Sequence, residues 1–191
     1  MDLETAPDAE SVATLSLDRL RDGDLDVLGG RIDRFRVDLS EPSVSRRRLY
    51  DGTALPTVSP ARWCRPHRYV YAQRTAQPVT EWPTGVVKID TETEATTVFD
   101  DGADHFGEPI FVPRERSRAA GGDDSAGRDD PATDGDSWDD GVVLTVGLDT
   151  DAERSRLFVL DGETLAERAR ADLPLALPFD FHGRFFPDLP A

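Results

Sequence analysis

The chain has 191 residues, of which 38% are apolar and 31% charged, and its 38 acidic residues against 22 basic ones give a formal net charge of −16. That length supports one domain with a genuine core, and so negative a surface lacks the basic footprint that nucleic-acid binding requires. A single cysteine, Cys64, excludes an intrachain disulfide, and no apolar run approaches the ~20 residues of a membrane-spanning helix.

The acid is mostly aspartate scattered along the whole chain, and Lys88 is the only lysine. Charge so dispersed reads as the hydration layer of a salt-adapted, halophilic protein rather than as a site for cations or basic partners. The start, Met1-Asp2-Leu3-Glu4-Thr5, has neither the basic nor the apolar segment of a signal peptide, so a cytoplasmic location is expected.

Residues 1–13 are polar and without periodicity, and are expected to be an N-terminal tail. Leu15, Leu17 and Leu20, with Asp18, Arg19 and Arg21, predict one short turn or strand before the break at Asp22-Gly23-Asp24. After Gly29-Gly30 the pattern becomes β. In Arg34–Leu39 apolar and polar residues alternate with period two, which buries one face of a strand. Further strands are predicted at Val44–Leu49, Arg68–Gln73, Val86–Asp90, Ala95–Phe99, Pro109–Val112, Val142–Asp149, Arg156–Leu160, Leu165–Arg170 and Phe181–Phe186. No stretch has the pattern of an amphipathic helix. Short strands separated by Gly, Pro, Asp and Ser indicate an all-β sandwich, barrel or propeller.

A weak internal repeat favours the propeller. Lys88–Val98 parallels Val159–Ala169: each is a strand ending in aspartate, Asp90 or Asp161, with a threonine three residues on and a second strand beyond. The aspartate side chain can bond the backbone two residues along and close such a turn. Between Arg114 and Asp140 the pattern stops, and Gly, Asp, Ala and Ser dominate. A segment with so few large apolar groups cannot offset its ordering entropy by burial, so a disordered acidic surface insertion is expected there.

Three histidines are present. His67 precedes a predicted strand, His105 lies in a turn-rich stretch, and His182 stands among aromatics in Phe179-Asp180-Phe181-His182-Gly183-Arg184-Phe185-Phe186. By pattern alone a histidine among apolar residues is more often a satisfied core residue than a ligand, and a single histidine does not define a metal site, which needs several converging ligands.

Four segments in order, Gly107-Glu108-Pro109-Ile110-Phe111-Val112-Pro113, Asp139–Val146, Leu157–Asp161 and Phe181-His182-Gly183, resemble the C-terminal part of the carotenoid cleavage oxygenases, and Arg65–Ala72 fits the strand upstream. This family includes the retinal pigment epithelium isomerohydrolase and the stilbene-cleaving oxygenases. The resemblance runs from Thr14 to Pro187 and implies that residues 14–188 are the last blades of a seven-bladed β-propeller, a partial propeller. It also implies iron(II) on the propeller axis, held by four histidines whose rings are oriented by glutamates. Dioxygen and a carotenoid or related polyene, which enters through an apolar tunnel, are the implied substrates.

On this resemblance His182 is the last iron ligand and Glu108 the glutamate that accepts a ligand N–H and fixes its tautomer. His67 and His105 fall at non-ligand positions. The three further histidines belong to blades this chain does not contain, so a complementing N-terminal fragment is an implied partner and the chain alone is expected to be inactive. Where the family has a second glutamate before a Leu/Phe-Pro step, this sequence has Ala54-Leu55-Pro56. The alternative reading is a non-catalytic, propeller-derived binding module. A lipid-soluble substrate would bring either protein to a membrane surface.

Overall fold

The computed structural model describes residues 1–13, 16–22, 30–75, 81–102, 104–114, 138–177 and 182–186. They form twelve strands: β1 (Asp2–Thr5), β2 (Arg31–Asp38), β3 (Ser43–Asp51), β4 (Thr53–Thr57), β5 (Tyr69–Arg74), β6 (Gly85–Asp90), β7 (Thr96–Phe99), β8 (His105–Phe106), β9 (Ile110–Pro113), β10 (Gly141–Asp149), β11 (Arg154–Asp161) and β12 (Glu167–Asp172). Two five-residue helices, α1 (Ala9–Ala13) and α2 (Leu17–Arg21), and a 3₁₀ turn at Pro60–Arg62 complete the set. None of the described helices is long and apolar enough to cross a membrane.

The strands make three antiparallel sheets in chain order: β1-β2-β3, then β4-β5-β6-β7, then β12-β11-β10 with β8 and β9 both pairing with β10. Period-two alternation explains how the sheets stack. Val70 and Ala72 of β5, with Val87 and Ile89 of β6, pack against Ile32, Leu49 and Tyr50 of the first sheet. The opposite face, carrying Tyr71 and Val86, packs against Phe106, Phe111, Val143, Phe158, Leu160 and Leu165 of the third. The middle sheet is therefore buried on both faces. Polar links cross the second seam: Tyr71 Oη donates to Gly162 O (2.8 Å) and Gln73 Nε2 to Phe106 O (2.8 Å).

The Asp-led repeat is real and local. Asp90 Oδ1 accepts from the backbone N–H of Glu92 (3.0 Å) and Thr93 (3.3 Å), and Asp161 Oδ1 from Glu163 (3.0 Å) and Thr164 (2.8 Å). Each turn then places a residue at positive φ, Glu94 at 63° and Leu165 at 56°. The turns join β6 to β7 and β11 to β12, equivalent hairpins in successive sheets.

Several expectations change. Asp2–Thr5 is no tail but a strand paired with β2, held by charge: Arg34 donates to both Asp2 oxygens at 2.7 Å. Leu17–Arg21 is helical, and a helix so short shows no apolar period in sequence. Residues 182–186, expected in a strand, have no regular structure, and Phe181 lies outside the described residues. Of the insertion expected at 114–140, residues 115–137 also lie outside them. Its described ends meet, Arg114 N donating to Asp140 O (3.0 Å) and Arg114 Nε to the Asp140 carboxylate (2.8 Å).

Candidate metal-ligand site

Glu108 owes its position to an interruption in one sheet. β8 and β9 are two parts of one edge along β10: Phe106 pairs with Gly147 and Ile110 with Leu144. Four steps on one side thus face three on the other, an extra residue that bulges the strand at Gly107–Pro109. Pro109 has no N–H to give the ladder, which fixes where pairing stops. Bulges of this kind re-aim a side chain next to functional sites. The bulge is anchored by Gly107 N, which donates to Val146 O (2.8 Å), and by Thr145 Oγ1, which donates to Gly107 O (3.2 Å).

The re-aimed carboxylate meets the C-terminal segment. His182 Nδ1 lies 3.4 Å from Glu108 Oε1, and the Gly183 backbone N–H donates to Glu108 Oε2 at 2.9 Å. Glu108 is largely covered, at 17% side-chain exposure, whereas the His182 ring is 75% exposed. An ionised carboxylate can only accept, so a hydrogen bond between them requires the hydrogen on Nδ1, which would leave the Nε2 lone pair free. Upstream, the chain is tied to β11 by Leu173 N to Ser155 O (2.9 Å) and Leu177 N to Ser155 Oγ (2.9 Å).

Two cavities adjoin Glu108, and His182 lines the larger. One, of about 240 Å³, has Glu108, Ile110, Leu144, Leu148, Leu157 and Phe185 among its walls. The other, of about 740 Å³, is lined by His182 and Glu108 with Thr57, Trp63, Val112 and Phe185. Arg184 lines both cavities, His105 only the smaller and His182 only the larger, where a mostly apolar wall around one carboxylate and one imidazole suits a largely apolar ligand.

The other candidates are engaged elsewhere. His67 Nε2 lies 2.7 Å from Asp2 Oδ2 and 3.0 Å from an Arg34 guanidinium nitrogen, joining β1 to the β5 entry. Burial pushes the Asp2 carboxyl up, but hydrogen bonds from Arg34 and His67 outweigh it and hold the group well below the usual carboxylate range. His105, half-buried in β8, lines the smaller cavity. No cluster of three or more His, Cys, Asp or Glu able to hold a metal occurs among the described residues. Ala54 is half-buried on β4 opposite Gln73, and the next peptide, Leu55 N, donates to Glu4 Oε2 (3.0 Å). The partnerships of Glu4 and of the Gly183 amide carry no sequence signal, because each joins distant segments through backbone.

The family model of the retinal pigment epithelial membrane protein, RPE65, matches residues 2–187. The chain belongs to the carotenoid oxygenase family. Among relatives, a carotenoid dioxygenase of Neurospora crassa is 35% identical over 70% of this chain and 19% of its own length. The carotenoid cleavage dioxygenase 8 homolog A of rice is 33% identical over 94% of this chain and 31% of its own. A variant of the Synechocystis apocarotenoid oxygenase superposes with a TM-score of 0.68 at 26% identity, over 84% of this chain and 31% of that one. The same oxygenase in cobalt-substituted form superposes with a TM-score of 0.64 at 25% identity, covering 81% of this chain and 30% of that one. This carotenoid oxygenase chain thus spans about a fifth to a third of the length of the relatives it matches. Its nearly all-β sheets are consistent with the β-propeller of those neighbours.

Proposed function

We propose that this chain contributes the last blades and one iron-ligating imidazole, His182, to an iron(II)-dependent oxygenase that cleaves a double bond of carotenoid or apocarotenoid polyenes with dioxygen. The observation that carries the reading is the Glu108–His182 contact at the mouth of an apolar cavity. A ligand imidazole needs its second nitrogen held by an acceptor, and Glu108 does that here. The iron would supply dioxygen activation, and all-imidazole ligation suits it. This chain's own contribution is geometric. Glu108 holds the ring, while Trp63, Val112 and Phe185, which line the same cavity as His182, offer apolar contact to a polyene.

Metal affinity comes from several preorganised ligands acting together, and His182 is one. The remaining imidazoles belong to blades beyond this chain, in the same polypeptide or in a complementing one, and those blades would also close the propeller. The test is reconstitution with the N-terminal blades of the Synechocystis apocarotenoid oxygenase. Iron after desalting and oxygen uptake with an apocarotenoid should both require the mixture, and His182→Ala should abolish them. Near-stoichiometric iron with turnover in the isolated chain would overturn the division of ligands. A stable mixture with iron but no turnover would favour the non-catalytic module.

A further inference from the structure

The Glu108 carboxylate serves two donors from adjacent residues, one per oxygen: the His182 ring at 3.4 Å on Oε1 and the Gly183 peptide N–H at 2.9 Å on Oε2. The hydrogen bond from the peptide N–H is the shorter, and the ring it accompanies is three-quarters exposed. We propose that the Gly183 peptide N–H is a positioning group for His182. By holding Oε2, it turns Oε1 to the ring and sets the tautomer with hydrogen on Nδ1, leaving the Nε2 lone pair outward. The use of that lone pair rests on reading His182 as a metal ligand; the tautomer does not. Gly183 lies beside β9: a Cβ there would come 2.9 Å from Ile110 Cδ1, the mobile end of a side chain on the strand that follows Glu108. From there its amide reaches the Glu108 carboxylate.

This arrangement differs chemically from simple tethering. A solvated imidazole prefers its hydrogen on Nε2, so an Nδ1–H tautomer on this exposed ring reports that the carboxylate holds it. In Glu108→Gln the side-chain oxygen is claimed by the Gly183 amide, and the side-chain NH₂ is left facing the ring. It donates to Nδ1 and drives the ring hydrogen to Nε2. Shape is kept while the tautomer inverts.

The experiment is long-range ¹H–¹⁵N NMR of the metal-free, ¹⁵N-labelled chain at pH 8, with His182 assigned by the signal lost in His182→Gln. The wild type should show the Nδ1–H form as the major tautomer and Glu108→Gln the Nε2–H form. Gly183→Pro, which lacks the amide hydrogen but keeps Glu108, should also revert to Nε2–H. Unchanged His67 and His105 signals report that each variant is folded. An Nε2–H tautomer in the wild type, Nδ1–H retained in folded Gly183→Pro, or Nδ1–H retained in Glu108→Gln would each overturn the proposal. Failure of the metal reading is separate: an Nδ1–H tautomer with no His182-dependent iron in the reconstituted mixture sinks that reading and leaves this one standing.

Discussion

Lys88 Nζ, the chain's only ammonium on a side chain, is paired with Asp139 across the seam between the second and third sheets, with side-chain exposures of 7% and 5%. It also donates to Glu163 O at 2.6 Å and lies 4.1 Å from the centroid of the Tyr69 ring. Such a pair is costly to break because the survivor is a buried, uncompensated charge, and less costly to replace as a whole. Lys88→Met and Asp139→Leu should each destabilise the chain by about 3–5 kcal/mol, and the double variant by clearly less than their sum. Urea denaturation of the four proteins checks this. Additive losses would mean the two charges do not depend on each other.

Asp33 makes the corresponding polar contact in the first sheet. Burial pushes its carboxyl up, but hydrogen bonds from Arg46, Thr5 and Arg48 outweigh that and bring it down to about 2. An unfolded aspartate titrates near about 4, so between about 4 and 2 the native state binds fewer protons than the unfolded one. The stabilisation is therefore full above that window and is lost as pH falls through it. Asp33→Asn should cost about 1–2 kcal/mol at pH 7, the arginines being half-exposed and able to rehydrate. It should also lose less stability than wild type between pH 5 and pH 2. Parallel pH profiles for the two proteins would contradict the assignment.

Much of the fold was legible because the middle and third sheets bury regular apolar alternation, as at Val70/Ala72 and Val87/Ile89. The turns were legible because Asp90 and Asp161 act within three residues of themselves. What escaped is held by other forces. β1 is fastened by Asp2–Arg34 and by Thr5 Oγ1 to Asp33, so it shows no apolar period. β8 has two residues, too few for any pattern. Conversely, the aromatics around His182 mimic a strand, but Phe185 and Phe186 are 46% and 53% exposed. The closeness of Glu108 and His182, 74 residues apart, came from family resemblance, since no local spacing encodes a contact across that distance.

Gly141 tests whether the Glu108 bulge depends on the β9–β10 seam. It pairs with Pro113, and a Cβ there would lie 2.3 Å from Val112 O, 2.9 Å from Phe111 Cζ and 3.0 Å from Pro113 Cα. Two of those are backbone atoms, so the strand itself has to move. Gly141→Ala should cost at least about 1–3 kcal/mol and loosen β9, carrying Glu108 away from His182. Thermal denaturation reads the first effect and the His182 ¹⁵N shifts the second. A destabilised variant with an unchanged His182 signal would show that Glu108 is held by β8 and Thr145 without β9.

Ala54 stands where the family resemblance expects a carboxylate, and its surroundings connect it to the site. It faces Gln73 across β4–β5, and Gln73 Nε2 reaches Phe106 O, one residue before the bulge that begins at Gly107. Ala54 is thus one cross-strand step and one hydrogen bond from the strand that aims Glu108. Loss of a carboxylate that orients a ligand typically costs about 10–100-fold in metal affinity or activity, and restoring one recovers part of that. Ala54→Glu should leave the isolated chain folded, since the position is only half-buried and a longer side chain there can reach solvent. In the reconstituted oxygenase it should raise iron retention against a chelator by about tenfold. Circular dichroism of the chain and iron content after graded chelation separate the two effects. A folded variant that retains iron no better than wild type would mean that no imidazole lies within reach of position 54, and that the resemblance at the Leu55-Pro56 step is one of backbone alone.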